Sequence, residues 1–238
     1  MPEIQGLGAR IHYEVRGEGE PTILFTHGWA ASSRAFDGNV APLVERHQVV
    51  TWDIRGHGES ESPLDPARYS PALALGDMVG ILDEVGAGPV VAIGHSLGGY
   101  LSLAFAIAHP ERVAALVLLN TGPGFRNPTS RAAWNTGVER LAIRHEVEPG
   151  LLHTSRGMVA QHDAQVLEGL PTIQAPVLIL VGTEDDQYIA GSQYMADKIP
   201  SASLTTIPGA GHDAHITHAA DFNRLVADFV VPLAGTDV

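Results

Sequence analysis

The feature that most constrains this chain is a series of short, almost wholly apolar runs separated by helical patterns. Runs of Val, Ile and Leu without polar alternation indicate strands buried on both faces, as in a parallel sheet covered by helices. The strand-like runs are residues 11–15, 22–26, 47–53, 89–94, 114–120, 176–182 and 203–208. The helical patterns fall at about 70–85, 97–108, 187–198 and 215–230. This order predicts a single α/β domain over residues 1–238.

One interval interrupts the alternation of strands and helices. No strand is predicted over 125–172, whereas residues 131–144 and 151–170 show helical patterns. A connection of this length without structure of its own is uncommon in a compact domain. We therefore predict a helical insertion over 125–172 that lies over one end of the sheet.

Composition excludes several classes of function. The chain has 238 residues, of which 45% are hydrophobic and 17% charged, the balance of a globular protein. It contains no cysteine, which excludes disulfides and thiolate chemistry and favours a cytoplasmic location. Its formal net charge of −13 would repel nucleic acid and anionic lipid, and no apolar run is long enough to cross a bilayer. We expect neither nucleic acid nor a membrane as a partner.

Ser96 lies among glycines where a predicted strand passes into a predicted helix. Residues 94–98 read Gly-His-Ser-Leu-Gly and match G-x-S-x-G, the nucleophile elbow. Composition alone can produce this pattern, so its placement at a strand end carries the prediction. A sharp turn there leaves no room for side chains at Gly94 and Gly98 and strains the serine backbone. We predict that Ser96 is an exposed nucleophile, with His95 completing its turn.

A serine hydroxyl needs a base to remove its proton and an acid to orient that base. Acidic residues follow one buried run and histidines follow the next, namely Glu184, Asp185 and Asp186, then His212, His215 and His218. We predict Asp185 as the acid, with Asp186 as the alternative, and His212 as the base because it lies in a glycine-rich loop. The remaining two histidines are expected on a helix surface or at its cap. No metal site is expected, because the histidines spread over a wide angle.

Two backbone N–H groups are needed to stabilise an oxyanion beside the serine. Leu97 follows the serine directly, and Trp29 follows the predicted strand 22–26, so we assign the two donors to these residues. We also expect the indole of Trp29 to contact the substrate together with Phe125 and Trp134 of the insertion. The alternative for Trp29 is a side chain that packs only in the core.

These motifs together resemble the α/β-hydrolase family, in its serine-nucleophile, esterase-like branch with a short lid. The resemblance is carried by residues 27–29, 53–60, 94–99, 182–185 and 209–212. It implies a mostly parallel, eight-stranded sheet flanked by helices, with 125–172 as a small helical lid after the sixth strand. It also implies a triad acid at Asp185. The stretch 53–60 resembles a structural loop of the family, so Arg55 and His57 are given no catalytic role.

The predicted function is hydrolysis of a small ester-like molecule, a carboxylic ester, thioester or lactone, through an acyl-enzyme and without cofactor or metal. Serine at the elbow argues against epoxide hydrolases and haloalkane dehalogenases, which resemble this framework but carry aspartate. Carbon–carbon bond hydrolases, perhydrolases and the elimination enzyme of menaquinone biosynthesis remain alternatives, as does a non-catalytic small-molecule receptor. Carboxylate-bearing substrates would call for arginine in the lid, where Arg126, Arg131, Arg140, Arg144 and Arg156 are available. The chain could act as a monomer or a homodimer.

Overall fold

One sheet runs through the computed structural model, which describes residues 2–232. Within that range its strands are β1 Glu3–Gly6, β2 Ala9–Arg16, β3 Ile23–Thr26, β4 Val49–Trp52, β5 Val90–His95, β6 Val113–Leu119, β7 Val177–Gly182 and β8 Ala202–Ile207. They are ordered β1-β2-β4-β3-β5-β6-β7-β8. β2 is antiparallel to both of its neighbours, and all other pairs are parallel. The predicted eight-stranded, mostly parallel sheet is confirmed; of the domain predicted over 1–238, Met1 and 233–238 lie outside the described residues.

Helices cover both faces of this sheet. They are α1 Asp37–Val40, α2 Pro71–Glu84, α3 Leu97–Ala108, α4 Pro128–Arg144, α5 Pro149–Thr154, α6 Gln165–Gly169, α7 Asp186–Lys198, α8 Ala214–Thr217 and α9 Ala219–Val230. Core residues of α2, α3 and α7 pack on one face, and those of α1, α8 and α9 on the other. None of the helices within residues 2–232 is both long and apolar enough to span a membrane.

The apolar runs are explained by this double coverage. Along β5, Val90 and Ala92 belong to one core, whereas Val91 and Ile93 belong to the other. Successive side chains of a strand point to opposite faces, so a strand covered on both sides must be apolar at every position. The same alternation continues along β6, which is why the central strands could be recognised in the sequence.

Several elements differ from the sequence prediction. β1 was not predicted, because it is a short edge strand whose residues alternate between exposed and half-buried. The helix predicted over 215–230 is wrong as one element: it is divided into α8 and α9 at His218, whose φ of −126° and ψ of 42° are not helical. The pattern over 151–170 is likewise divided into α5, a π turn at Ser155–Val159 and α6.

Candidate active site

Ser96 occupies a strained turn between β5 and α3. Its φ of 53° and ψ of −116° lie outside the regions that side chains normally adopt. A Cβ at Gly94 would lie 2.3 Å from the carbonyl oxygen of Gly98, and one at Gly98 would lie 1.9 Å from that of Thr26. Glycine is therefore required on both sides of the serine. Ser96 is half-buried rather than exposed as predicted, because it lies on the wall of a cavity.

The three predicted triad residues come together from the ends of three neighbouring strands. The Ser96 hydroxyl lies 3.0 Å from Nε2 of His212, and Nδ1 of His212 lies 2.7 Å from Oδ2 of Asp185. Asp185 is buried, with 7% of its surface exposed, whereas the adjacent Glu184 and Asp186 are exposed. Of the three candidate acids, Asp185 is therefore the one that meets the imidazole. The arrangement can move a proton from the hydroxyl to the ring and stabilise the resulting imidazolium.

Asn120 ties the loop of His212 to the end of β7. Its side-chain amide donates to the carbonyl of Gly211, at 2.9 Å, and to that of His212. Its Oδ1 accepts the backbone N–H of Gly182 at 2.9 Å. Because β7 also leads to Asp185, this one side chain sets the histidine loop relative to the acid. Sequence reasoning missed this role, although a polar residue that closes an apolar run was a usable signal.

The imidazole of His212 lies between two other rings. Tyr188 stacks on it, with ring centroids 5.0 Å apart and planes 21° apart. The ring centroid of His95 lies 4.8 Å from that of His212. Burial raises the pKa of Tyr188, and hydrogen bonding with Ser96 and Gln187 opposes that shift. Tyr188 was not predicted, because nothing in its immediate sequence shows that α7 turns this residue towards the histidine.

His95 forms a hydrogen bond with the backbone of His212. Burial holds the pKa of His95 well below its usual value, and the neighbouring His215 and His212 act in the same direction. The ring is therefore neutral, and its Nε2 lies 2.9 Å from the carbonyl oxygen of His212. A neutral ring facing a carbonyl must carry its proton on that nitrogen, so Nε2 donates and the orientation of His95 is fixed.

Trp29 and Leu97, the predicted oxyanion donors, flank the serine. Among residues 2–232, neither of their backbone N–H groups donates to a protein acceptor. Leu97 begins α3, so its N–H lies at the positive end of a helix. The loop of Trp29 lies close to the elbow, since a Cβ at Gly28 would lie 3.3 Å from Cβ of Ser96. Both groups can therefore be offered to an oxygen atom bound beside Ser96.

A cavity of about 740 Å³ opens in front of this constellation. The predicted substrate contacts Trp29, Phe125 and Trp134 all line it. The Trp29 indole donates to the carbonyl of Leu151 at 3.0 Å, and the Trp134 indole donates to that of Val159 at 2.9 Å. Both indoles are thereby held to the backbone of the helical insertion. Trp29 is half-buried on the cavity wall and does not pack only in the core.

Comparison with known proteins identifies this architecture. Residues 21–146, more than half of the chain, match the family described as alpha/beta hydrolase fold. The chain belongs to the α/β-hydrolase family.

Two relatives and one solved structure are similar to this α/β hydrolase over nearly its whole length. A Bacillus subtilis (strain 168) protein, provisionally named 2-succinyl-6-hydroxy-2,4-cyclohexadiene-1-carboxylate synthase, is 26% identical over 94% of this chain and 96% of its own. The 2-hydroxy-6-oxononadienedioate/2-hydroxy-6-oxononatrienedioate hydrolase of Cupriavidus pinatubonensis is 30% identical over 93% of this chain and 90% of its own. The enol-lactonase from Burkholderia xenovorans LB400 has a TM-score of 0.75 and 26% identity, covering 97% of this chain and 100% of that one.

The two other candidate histidines of this α/β hydrolase do not join the relay. His215 was predicted on a helix surface or at its cap, which is wrong: its ring nitrogens make no capping bond within residues 2–232, and the residue is 1% exposed. The centroid of its ring lies 4.9 Å from that of Phe36 and 4.4 Å from that of His95. Its burial lowers its pKa to about 4, although Asp213 acts in the opposite direction. His218 is half-buried at the start of α9, where its side chain makes no capping bond to the helix backbone.

Ligand-type atoms of His95, Asp213 and His215 lie within 4.8 Å of one another. The Nε2 of His95 is already occupied by its bond to the carbonyl of His212, and Asp213 is exposed. The cluster therefore leaves one buried imidazole and one solvated carboxylate, which is fewer than a tetrahedral metal site requires. The metal site considered over His212, His215 and His218 is not formed either, since both ring nitrogens of His212 face Ser96 and Asp185.

The stretch 53–60 builds the loop beside the site. Arg55 is fully buried and binds Asp77 through two hydrogen bonds of 2.8 and 2.7 Å. The carboxylate of Asp53 accepts the backbone N–H groups of Ser33 and Glu59 at 2.7 and 2.8 Å. Arg55 thereby ties this loop to α2 and Asp53 holds two backbone segments, which are structural roles.

None of the arginines of the insertion lines the cavity. Arg131 donates to the carbonyls of Phe125 and Arg126, and Arg156 pairs with Glu139 on the surface. The remaining three, Arg126, Arg140 and Arg144, are exposed. The cationic substrate contacts that a carboxylate-bearing substrate would need are thus absent from the cavity wall formed by residues 2–232.

Proposed function

We propose that this α/β hydrolase cleaves carboxylic esters, including thioesters and lactones, through an acyl-enzyme on Ser96. The observation that carries the proposal is the unbroken relay from Ser96 to His212 to Asp185, with contacts of 3.0 and 2.7 Å. A nucleophile, a base and an orienting acid within hydrogen-bond reach are the groups that acyl transfer requires. The adjoining N–H groups of Trp29 and Leu97 supply the oxyanion hole in this proposal.

In the proposed reaction, the Ser96 oxygen attacks the substrate carbonyl while Nε2 of His212 accepts the hydroxyl proton. Asp185 remains ionised and stabilises the imidazolium through Nδ1. The protonated ring then donates its proton to the leaving alcohol or thiol, and the acyl group stays on Ser96. Water, deprotonated by the same ring, attacks the acyl carbon, and collapse of the second tetrahedral intermediate releases the acid and restores the serine.

The insertion 125–172 serves as the lid in this proposal. The backbone of the insertion accepts hydrogen bonds from the indole N–H groups of Trp29 and Trp134, and its side chains line the same cavity as Ser96, which supports this role. The relatives support hydrolysis as the reaction class. One is named a hydrolase, and a structure at 26% identity is titled an enol-lactonase, an enzyme of the lactone class included in the proposal.

Labelling with a fluorophosphonate tests the proposal. The reagent should modify one serine stoichiometrically, and mapping of the labelled peptide should identify Ser96. Ser96→Ala should abolish labelling and lower kcat for p-nitrophenyl butyrate by about 10⁴-fold or more. Labelling at another serine, or turnover that survives in Ser96→Ala, would refute the proposed nucleophile.

A further inference from the structure

The wall of the cavity offers no permanently cationic side chain within the described residues. Among the described residues that line the cavity, none is a lysine or an arginine, and Asp185 is the carboxylate. Tyr100 and Tyr188 also line it, and both keep their protons because burial raises their pKa values, that of Tyr100 to about 12. The negative charge of Asp163 acts in the same direction on Tyr100. Away from His212, an anion bound in the cavity would therefore meet neutral side chains and neither a lysine nor an arginine.

The insertion contributes six apolar side chains to the wall of the cavity. Its apolar side chains at the cavity are Phe125, Trp134, Val138, Leu141, Met158 and Val159. Such a wall removes water from whatever it covers, and a carboxylate that loses water without gaining a cation is strongly destabilised. The net charge of −13 adds an unfavourable field for approaching anions.

We propose that the cavity accepts esters with an uncharged, apolar acyl group and rejects those whose acyl chain ends in a carboxylate. This inference rests on the proposed function and specifies its substrate class. It separates this chain from the Cupriavidus pinatubonensis relative, which is named for a dienedioate, a substrate with two carboxylates. In this chain the separation rests on the side chains that line the cavity.

A pair of esters with the same chain length tests the inference. p-Nitrophenyl butyrate and mono-p-nitrophenyl succinate have four acyl carbons each, and the second ends in a carboxylate. We expect kcat/KM for the succinate ester to be about 100-fold lower, because its charge is desolvated without a partner. p-Nitrophenyl methyl succinate, in which that carboxylate is esterified, should recover most of the loss.

Two variants on α4 locate the cause in the cavity. Leu141 lines the cavity and is 45% exposed, so arginine can be placed there without disrupting the core. Ile143 is 59% exposed on the same helix but does not line the cavity, which makes it the matched control. Leu141→Arg should narrow the butyrate-to-succinate ratio about tenfold by pairing with the carboxylate, whereas Ile143→Arg should leave it unchanged.

Two outcomes would overturn the inference. The first is a wild-type ratio of kcat/KM for the butyrate ester to kcat/KM for the succinate ester near one. The second is an equal change of this ratio in both variants, which would show that the overall charge of the protein, and not the cavity, determines the preference. Failure of the proposed function gives a different result. In that case neither ester is hydrolysed and the fluorophosphonate does not label Ser96. If Ser96 is labelled and both esters are hydrolysed equally well, the proposed substrate class is wrong and the proposed function stands.

Discussion

Burial, and not only the carboxylate group, distinguishes Asp185 from the two acids beside it. Glu184 and Asp186 have the same functional group as Asp185, yet only Asp185 is withdrawn from solvent onto the histidine. A buried carboxylate that accepts a hydrogen bond from an imidazole stays in one orientation, whereas an exposed one is screened by water. We therefore expect these three consecutive acids to differ in their contribution to activity.

Replacing the adjacent acids one at a time tests this selection. Asp185→Asn should lower kcat for p-nitrophenyl butyrate by about 10³- to 10⁴-fold, because the imidazolium loses its counter-charge and the ring its tautomer. Asp186→Asn should change kcat by less than about twofold. Steady-state kinetics of both variants provide the comparison, and comparable losses in the two would contradict the assignment of the acid.

Tyr188 should stabilise the imidazolium that His212 forms during the proposed reaction. A cation held over an aromatic ring is stabilised by about 0.5–2 kcal/mol. Tyr188→Leu removes the stacked ring, so it should lower kcat for p-nitrophenyl butyrate by about 2- to 30-fold. Tyr188→Phe keeps the ring, so any smaller loss in that variant measures the hydrogen bonding of the hydroxyl with Ser96.

The control for Tyr188 is Tyr194→Leu on the same helix. Tyr194 packs against the core and does not line the cavity, so its loss should reduce stability without lowering kcat. Equal kcat values for Tyr188→Leu and the wild type would show that the stacked ring does not stabilise the imidazolium.

How far the site follows from sequence depends on what positions each residue. Ser96, Asp185 and His212 could be predicted because each lies within five residues of the end of a recognisable strand, and the ends of parallel strands meet at one edge. Asn120 and Tyr188 act through side-chain orientation in three dimensions, which a linear pattern does not encode. Burial of His215 was missed for the same reason: it depends on how α8 packs against Phe36 and His95.

Among the elements, the turn between β5 and α3 tolerates the least change. Its glycines leave room for the start of α3 to pack against the end of β3. A side chain at Gly98 would prevent this close approach of helix and strand. The helical insertion is less constrained: a Cβ added at Gly137 in α4 would meet no atom of residues 2–232 within 4 Å beyond its own surroundings in the helix. The two glycines, Gly98 and Gly137, should therefore respond oppositely to the same substitution.

Glycine-to-alanine changes at these two sites make the contrast measurable. Gly98→Ala places a methyl group 1.9 Å from the carbonyl oxygen of Thr26, so the elbow must distort. We expect it to cost about 3 kcal/mol or more of unfolding free energy and most of the activity. Gly137→Ala should stabilise by up to about 1 kcal/mol through helix propensity. Urea denaturation measures both, and a neutral Gly98→Ala would contradict the packing argument.

Element boundaries were harder to predict than element types. Apolar periodicity located α2, α3 and α7 within a residue or two, because one face of each packs on the sheet. It could not show the break at His218 or the π turn at Ser155–Val159, where the apolar pattern continues while the backbone changes. At Gly157 the turn packs against Tyr69, since a Cβ there would lie 2.1 Å from its carbonyl oxygen.

At the scale of the whole molecule, buried histidines link stability to pH. Burial lowers the pKa of His57 to about 3 and that of His215 to about 4, and it lowers those of His27 and His95 as well. In the unfolded chain a histidine titrates near 6.5. The unfolded state therefore binds more protons below about pH 6.5. Stability from these groups is complete above that pH and falls as the pH drops towards the folded values.

His215 offers the cleanest test of this linkage, because both of its ring nitrogens lack a hydrogen-bond partner within residues 2–232. Between pH 6.5 and 4, it should contribute about 1.4 kcal/mol of lost stability per pH unit. His215→Phe removes the group that binds a proton in the unfolded state, and it keeps an aromatic ring beside Phe36 and Phe222. Urea unfolding at pH 7, 6 and 5 should show a shallower decline for this variant. The exposed His145→Gln serves as control, and a slope equal to wild type in His215→Phe would mean that the ring already binds its proton in the folded state.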